Sequence, residues 1–264
     1  MNHLELFSGT HSFGKVSSKY GYDVISLDRD LKAECPFKSG YISQNHFQED
    51  IMTWNYKQYP TRYFDIITAS PVCLWWSHLR HSNKGRFIKS LGRHLTAEDI
   101  ENDIIEYGIP MVDKVFEIID YFKPKYYIIE NPQTGRMKEY INDLIPFVDV
   151  DYCQYGLPYK KRTRFWTNIE IKPKLCHNKC SQLVSIPNVS EDYSTDRQKM
   201  KRIKDTRYIH KGVMSFTKQK ALRRHNLDFK NVAINNNKLE RYRVPYKLIE
   251  VFFSKIISTS NING

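Results

Sequence analysis

The sequence predicts an α/β fold with a mainly parallel sheet, plus a small basic lobe. Three observations carry this. Through the first 170 residues, short apolar runs alternate with stretches of helical period. That is the pattern of parallel strands joined by crossover helices. Residues 172–238 then turn polar, basic and weakly periodic, and "LERYRVPYKLIEVFFSKII" resumes an amphipathic helical pattern. The expected division is a main domain over 1–171, a lobe over 172–238, a helix returning to the domain over 239–257, and a frayed tail over 258–264.

The strand candidates, in order, are His3–Ser8, Asp23–Asp28, Phe64–Ser70, Tyr126–Asn131, Val148–Tyr155 and Arg164–Asn168. Several are rich in β-branched and aromatic residues and end in polar or turn residues. A helix is expected over 12–21. A longer one over 97–122 carries apolar residues at 100, 104, 105, 111, 112, 115, 116, 119 and 122, a helical period. Thr96 is its expected N-cap. Gly108 and Pro110 should kink or split it. Between strand and helix, residues 71–95 hold five Lys/Arg, no acid and two glycines. A structureless loop of that length would be functional or mobile.

Charge is unevenly placed. Residues 1–150 hold 17 Lys+Arg against 20 Asp+Glu, a balance of −3; residues 151–264 hold 24 against 9, a balance of +15. The basic excess, interleaved with aromatics in "YIHKGVMSFTKQKALRRHNLDF", points to a polyanion, most simply nucleic acid. No run of eighteen apolar residues and no secretory leader pattern is present, so neither a membrane span nor secretion is expected. The five cysteines, at 35, 73, 153, 176 and 180, are odd in number and irregularly spaced, which suits a reducing, intracellular (cytoplasmic or host-cell) compartment.

"LELFSGTHSFGKVSSKYGYDVISLD" reads as strand, Gly-bearing turn, helix, strand, acid. Ligands of open α/β sheets sit beyond the carboxyl ends of the strands. Gly9 permits close backbone approach, and the following helix offers unpaired N–H groups. Asp28 could accept the protons of two ribose hydroxyls. Asp50, ending "HFQED", could meet an adenine amino group or simply cap the turn after it. A full Gly-x-Gly-x-x-Gly is absent, because His11 stands where its middle glycine would fall.

Four stretches in order carry more information than any one: "ELFSGTHSFG" (5–14), "ASPVCLWWS" (69–77), "YIIENPQTG" (127–135) and "YGLPYKKRTRFW" (155–166). Together they resemble the cytosine-C5 DNA methyltransferases, and most closely the small enzymes of phages and large DNA viruses. That family has an F-x-G turn, a Pro-Pro-Cys loop, a Glu-Asn-Val motif and an Arg-x-Arg, and it uses S-adenosylmethionine. "YRVPYKLIEVFF" is similar to its last motif, which packs beside the first. Here Val72 replaces the family's second proline, and Leu74-Trp75-Trp76 precede Ser77. One more residue than usual separates Pro158 from the arginines.

The resemblance implies a Rossmann-like, S-adenosylmethionine-dependent methyltransferase with a target-recognition lobe. The enzyme would act as a monomer on a cytosine flipped out of double-stranded DNA. It implies cofactor binding by Phe7, Ser8, Gly9, Thr10, Asp28, Asp50 and Pro71. Cys73, in a basic loop after a strand, is the expected nucleophile toward carbon 6 of cytosine, since nearby positive charge favours a thiolate. Glu130, ending the apolar strand "YYIIE", is the expected partner of the ring's N3 side. Arg162 and Arg164 share one strand face. One of them could donate to the cytosine carbonyl and hold Glu130, the other bind phosphate. Lys160 and Lys161 read as solvated or backbone-contacting. Arg80, Lys84, Arg86, Lys89 and Arg93 would lie near phosphates, while Trp75 and Trp76 could cover the ligands or pack the loop root.

Cys176 and Cys180 form a Cys-x3-Cys pair around His177, and His210 could add a third zinc ligand. A second complete pair is missing, so free surface thiols and no metal are expected. Rival functions are methylation of an exocyclic amine (N4 of cytosine or N6 of adenine), methylation of RNA cytosine, and DNA binding without turnover.

Overall fold

The computed structural model describes residues 1–30, 45–141, 144–185, 208–213, 233–234 and 242–262. Seven strands form the main sheet: β1 (Asn2–Leu6), β2 (Asp23–Leu27), β3 (His46–Phe47), β4 (Ile66–Ala69), β7 (Tyr126–Pro132), β8 (Phe147–Asp151) and β9 (Arg162–Thr167). Their order is β3-β2-β1-β4-β7-β9-β8. All neighbours from β3 to β7 are parallel, and β9 runs antiparallel to both β7 and β8. All six expected strands are present; β3, two residues long, lacked an apolar run that could announce it.

Both faces of the sheet are covered, which is why its strands read as continuous apolar runs. On one face Leu4, Ile67 and Ile129 pack with Val112, Val115, Ile118 and Phe122 of α4 (Ile109–Phe122) and with Met137 and Ile141 of α5 (Met137–Ile141). On the other, Ile66, Ile128 and Phe165 pack with Phe13 and Val16 of α1 (Ser12–Lys19) and with Leu248, Phe252 and Phe253 of the last helix, α6 (Tyr246–Ile262). Successive residues face opposite ways along a strand, so Ile66 and Ile67 serve two different cores. The chain's end is held beside its beginning: Val244 N–H donates to Ser12 Oγ at 3.2 Å, and Tyr20 stacks on Phe253. Helix α6 runs on to Ile262, past the frayed end expected from 258.

The expected long helix is three pieces: α3 (Ala97–Asp103), a π-helical turn over Ile104–Gly108, and α4. Thr96 caps α3 in a reciprocal box, accepting from Asp99 N–H while the Asp99 carboxylate accepts from Thr96 N–H. The break falls at Gly108 and Pro110, as their chemistry requires.

Residues 71–95 are not structureless, which corrects the expectation. They hold a short helix, α2 (His78–His81), and a hairpin of β5 (Phe87–Ile88) and β6 (Arg93–His94). Of the 172–238 lobe, the described parts include β10 (Leu183–Ser185) paired with β11 (Tyr208–His210), and β12 (Gly212–Val213) paired with β13 (Ala233–Ile234). The rest of that lobe, including most of its basic residues, lies outside the described residues. Among the described residues no helix is long and apolar enough to cross a membrane.

Candidate active site

Because β1, β2, β4 and β7 are parallel, their carboxyl ends lie along one edge of the sheet. Every sequence-predicted catalytic and cofactor residue except Asp50, Arg162 and Arg164 lies at the end of one of these four strands or in the segment that follows it.

After β1 the chain turns sharply. Phe7, Gly9 and His11 all take positive φ (54°, 46° and 51°), strain of a kind that collects at functional sites. Gly9 N–H donates to Asp28 Oδ2 at 2.8 Å, bringing the β1 turn against the end of β2. The turn is anchored from below by Glu5. Its carboxylate accepts from Phe13 N–H and Gly14 N–H, each at 3.0 Å, and from Ser26 Oγ. Burial alone would raise this carboxyl. The hydrogen bond and charge of His11, 3.5 Å away, and the Gly14 amide outweigh burial and hold it below the ordinary carboxylate range. Ser8 Oγ is buried and has no hydrogen-bond partner among the described residues. Asp28 is half-buried and acceptor-only, and Thr10 shares a hydrogen bond with Ser12. Asp50 accepts from Met52 N–H and also lies 3.7 Å from Arg29, so the turn-capping reading of Asp50 holds in the structure. An unsatisfied hydroxyl, a strained glycine turn and two half-exposed carboxylates at one sheet edge fit an adenosine-bearing cofactor.

Cys73 follows β4, flanked by exposed Val72 and Leu74 and itself half-buried. Burial raises its thiol above the usual range, the charge of Glu130 raises it further, and the Lys161 ammonium opposes both. The loop root is clamped. Asn131 Nδ2 donates to Pro71 carbonyl at 2.9 Å, joining the end of β7 to the cysteine loop. Trp76 is buried, stacks on Tyr140 and accepts from Arg136 N–H through its carbonyl. Gly108 makes this possible: a Cβ there would lie 3.0 Å from the Trp76 ring. Trp75 stacks on Tyr107 and under the Arg80 guanidinium. Both tryptophans therefore pack the loop root.

Glu130 is buried. Its Oε1 accepts from Tyr152 Oη at 3.1 Å and lies 3.6 Å from Lys161 Nζ. The expected arginines stand elsewhere. Register pairs Glu130 with Phe165 and Asn131 with Arg164, so alternation sends Lys161, Thr163 and Phe165 to one face and Arg162 and Arg164 to the other. The two arginines do share a face. They form bidentate pairs with Asp151 (3.0 and 2.9 Å) and Asp149 (2.7 and 2.9 Å) of β8, and neither is paired with Glu130. Lys161 is 12% exposed, so the solvated reading is corrected for it, while Lys160 does contact backbone, at Cys176 carbonyl. Sequence reasoning missed Tyr152 and Lys161. The signal for Lys161 was its odd-numbered phase with Thr163 and Phe165, legible only once the register with Glu130 is known.

The five basic residues of 71–95 divide. Arg80 pairs with Asp103, and Arg93 with Asp99 at 2.6 Å, so both brace α3. Lys84, Arg86 and Lys89 are exposed and form no ion pair among the described residues. The expectation of free surface thiols is also corrected. Cys176 is buried, and Cys153, Cys176, Cys180 and His210 gather in one cluster.

A mostly parallel sheet of this order, with a strained glycine turn after β1 and a thiol after β4, defines a Rossmann-like methyltransferase. The fold matches that of the Entamoeba histolytica methyltransferase EhMeth, with a TM-score of 0.53 at 14% identity over 98% of each chain. No family model matches the chain. A Frog virus 3 (isolate Goorha) protein described as a probable DNA (cytosine-5)-methyltransferase is 38% identical over 201 residues, 75% of this chain and 83% of its own. The chain belongs to the cytosine-C5 DNA methyltransferase family, whose members use S-adenosylmethionine.

Proposed function

We propose that this protein methylates carbon 5 of cytosine in double-stranded DNA through a covalent bond between Cys73 and carbon 6. The observation that supports it is a half-buried thiol in the segment after β4, within the electrostatic reach of a buried carboxyl and a partly buried ammonium. S-adenosylmethionine, when bound, supplies an electrophilic methyl group. Phe7, Ser8, Gly9, Thr10, Asp28, Asp50 and Pro71 would hold it.

Carbon 5 of cytosine is a poor nucleophile. Addition of the Cys73 thiolate to carbon 6 makes carbon 5 enamine-like and able to attack a methyl. Electron density then moves toward N3, where Glu130 supplies a hydrogen bond or a proton. Tyr152 and Lys161 hold Glu130 in place, the role expected for an arginine. Solvent water then takes the carbon 5 proton, the C5–H electrons re-form the 5,6 double bond as the thiolate leaves carbon 6, and any proton given to N3 returns to Glu130, which restores the ring. A stacked base cannot reach this thiol, so the cytosine is flipped. Lys84, Arg86 and Lys89 then meet the phosphates. A single chain carries every group the reaction needs.

DNA bearing 5-fluorocytosine tests the mechanism, because carbon 5 then has no proton to lose. Wild-type protein with S-adenosylmethionine should form a denaturant-stable adduct, and Cys73→Ser should form none. An equal adduct from Cys73→Ser, or no adduct with DNA that the enzyme demonstrably methylates, overturns it. Identifying the methylated atom in digested DNA excludes exocyclic-amine transfer if only carbon 5 is modified.

A further inference from the structure

The methyl transfer makes no use of the cluster of three thiols and one imidazole. Cys153 lies on the 3₁₀ turn Tyr152–Tyr155 after β8, Cys176 and Cys180 lie after β9, and His210 ends β11. Their ligand atoms all lie within 4.8 Å of one another. His210 Nε2 is 3.5 Å from Cys176 Sγ and 3.4 Å from Cys180 Sγ. A tetrahedral zinc ion, with bonds of about 2.3 Å to sulfur and about 2.0 Å to nitrogen, sets sulfur–nitrogen edges of about 3.5 Å. Cys153 and Cys176 are each 2% exposed, so the centre is closed to water on that side.

We propose that Cys153, Cys176, Cys180 and His210 bind a single zinc ion as a structural centre. Thiolates and imidazole are the donors zinc prefers. Four protein ligands leave no open position for catalysis. The backbone already presets the distance, since His210 pairs with Leu183 across β10 and β11, and Lys211 N–H donates to Gln182 carbonyl at 2.8 Å.

The placement says what the ion does. Cys176 N–H donates to Asp151 Oδ2 at 2.7 Å, and the same carboxylate holds Arg162. Cys153 follows Tyr152, whose hydroxyl donates to Glu130. The ion therefore ties the first strands of the basic C-terminal region to the wall of the active site.

Metal content of the full-length protein, purified without chelator, tests this. Wild-type should hold about one zinc per chain, and Cys73→Ser should hold as much. Cys176→Ser/Cys180→Ser and His210→Ala should lose it, and His210→Cys, which restores a four-ligand set, should keep it. Should the losing variants fold poorly, cobalt-exchanged wild-type decides alone: a thiolate-to-cobalt charge-transfer band with a tetrahedral visible spectrum is expected. Metal-free wild-type that also gives no such spectrum overturns the proposal, as does zinc lost from Cys73→Ser as readily as from the cluster variants.

Discussion

At the scale of the residue, the proposed chemistry turns on three side chains at or just beyond three strand ends: Cys73, Glu130 and Lys161. The thiol must ionise in a place where burial and a carboxylate both oppose it, and Lys161 is the group that counters them. Removing that ammonium should raise the thiol further. Less thiolate is then present at neutral pH, so the rising limb of kcat/KM should move to higher pH. Each unit of movement costs about tenfold in activity at pH 7. Lys161→Met should show this displacement and Lys161→Arg much less. An unmoved profile in Lys161→Met would remove Lys161 from the mechanism. Cys73 and Glu130 stood out as candidates because each lies inside a recognisable motif, Cys73 just after an apolar run and Glu130 at the end of one. Lys161 was not, since a lysine beside another lysine and two arginines reads as a solvated cluster until strand register assigns its face.

At the scale of the element, the cysteine loop is held by a helix that breaks where it must. A π turn is a common companion of functional sites. Here it brings Gly108 under Trp76, close enough that an added Cβ would have to push the ring aside. The kink could be read from Gly108 and Pro110, but its purpose could not, because the tryptophan it receives is thirty-two positions away in the chain. Truncating a fully buried aromatic costs about 3–5 kcal/mol, so Trp76→Ala should lower the denaturation midpoint markedly. Gly108→Ala forces the Trp76 ring to shift by some tenths of an ångström. It should lower activity more than stability, because the ring's neighbour in sequence is the loop that carries Cys73. Thermal melts set beside turnover of the same samples separate these effects; equal losses of both in Gly108→Ala would mean the loop is not positioned by this packing.

At the scale of the whole molecule, charge and topology divide the labour. The alternation of strands and helices was legible from periodicity because burial on both sheet faces makes strands uniformly apolar. The ordering of 71–95 was not, since a hairpin of two-residue strands leaves no periodic trace. The same structure sorts that segment's cations. Arg80 and Arg93 are spent on Asp103 and Asp99, whereas Lys84, Arg86 and Lys89 stand exposed on or beside the hairpin. A cation that touches a DNA phosphate releases counterions, and each such contact contributes about 0.9 to the slope of log affinity against log salt. Replacing Lys84, Arg86 and Lys89 together by glutamine should therefore flatten that slope by about 2–3 and weaken binding to any sequence alike. Arg80→Gln should leave the slope unchanged, because its guanidinium already has a carboxylate partner, and act instead by loosening α2 from α3. DNA-binding isotherms at several salt concentrations measure both. If the triple variant keeps the wild-type slope, the hairpin does not meet the DNA backbone, and that contact falls to the basic C-terminal region.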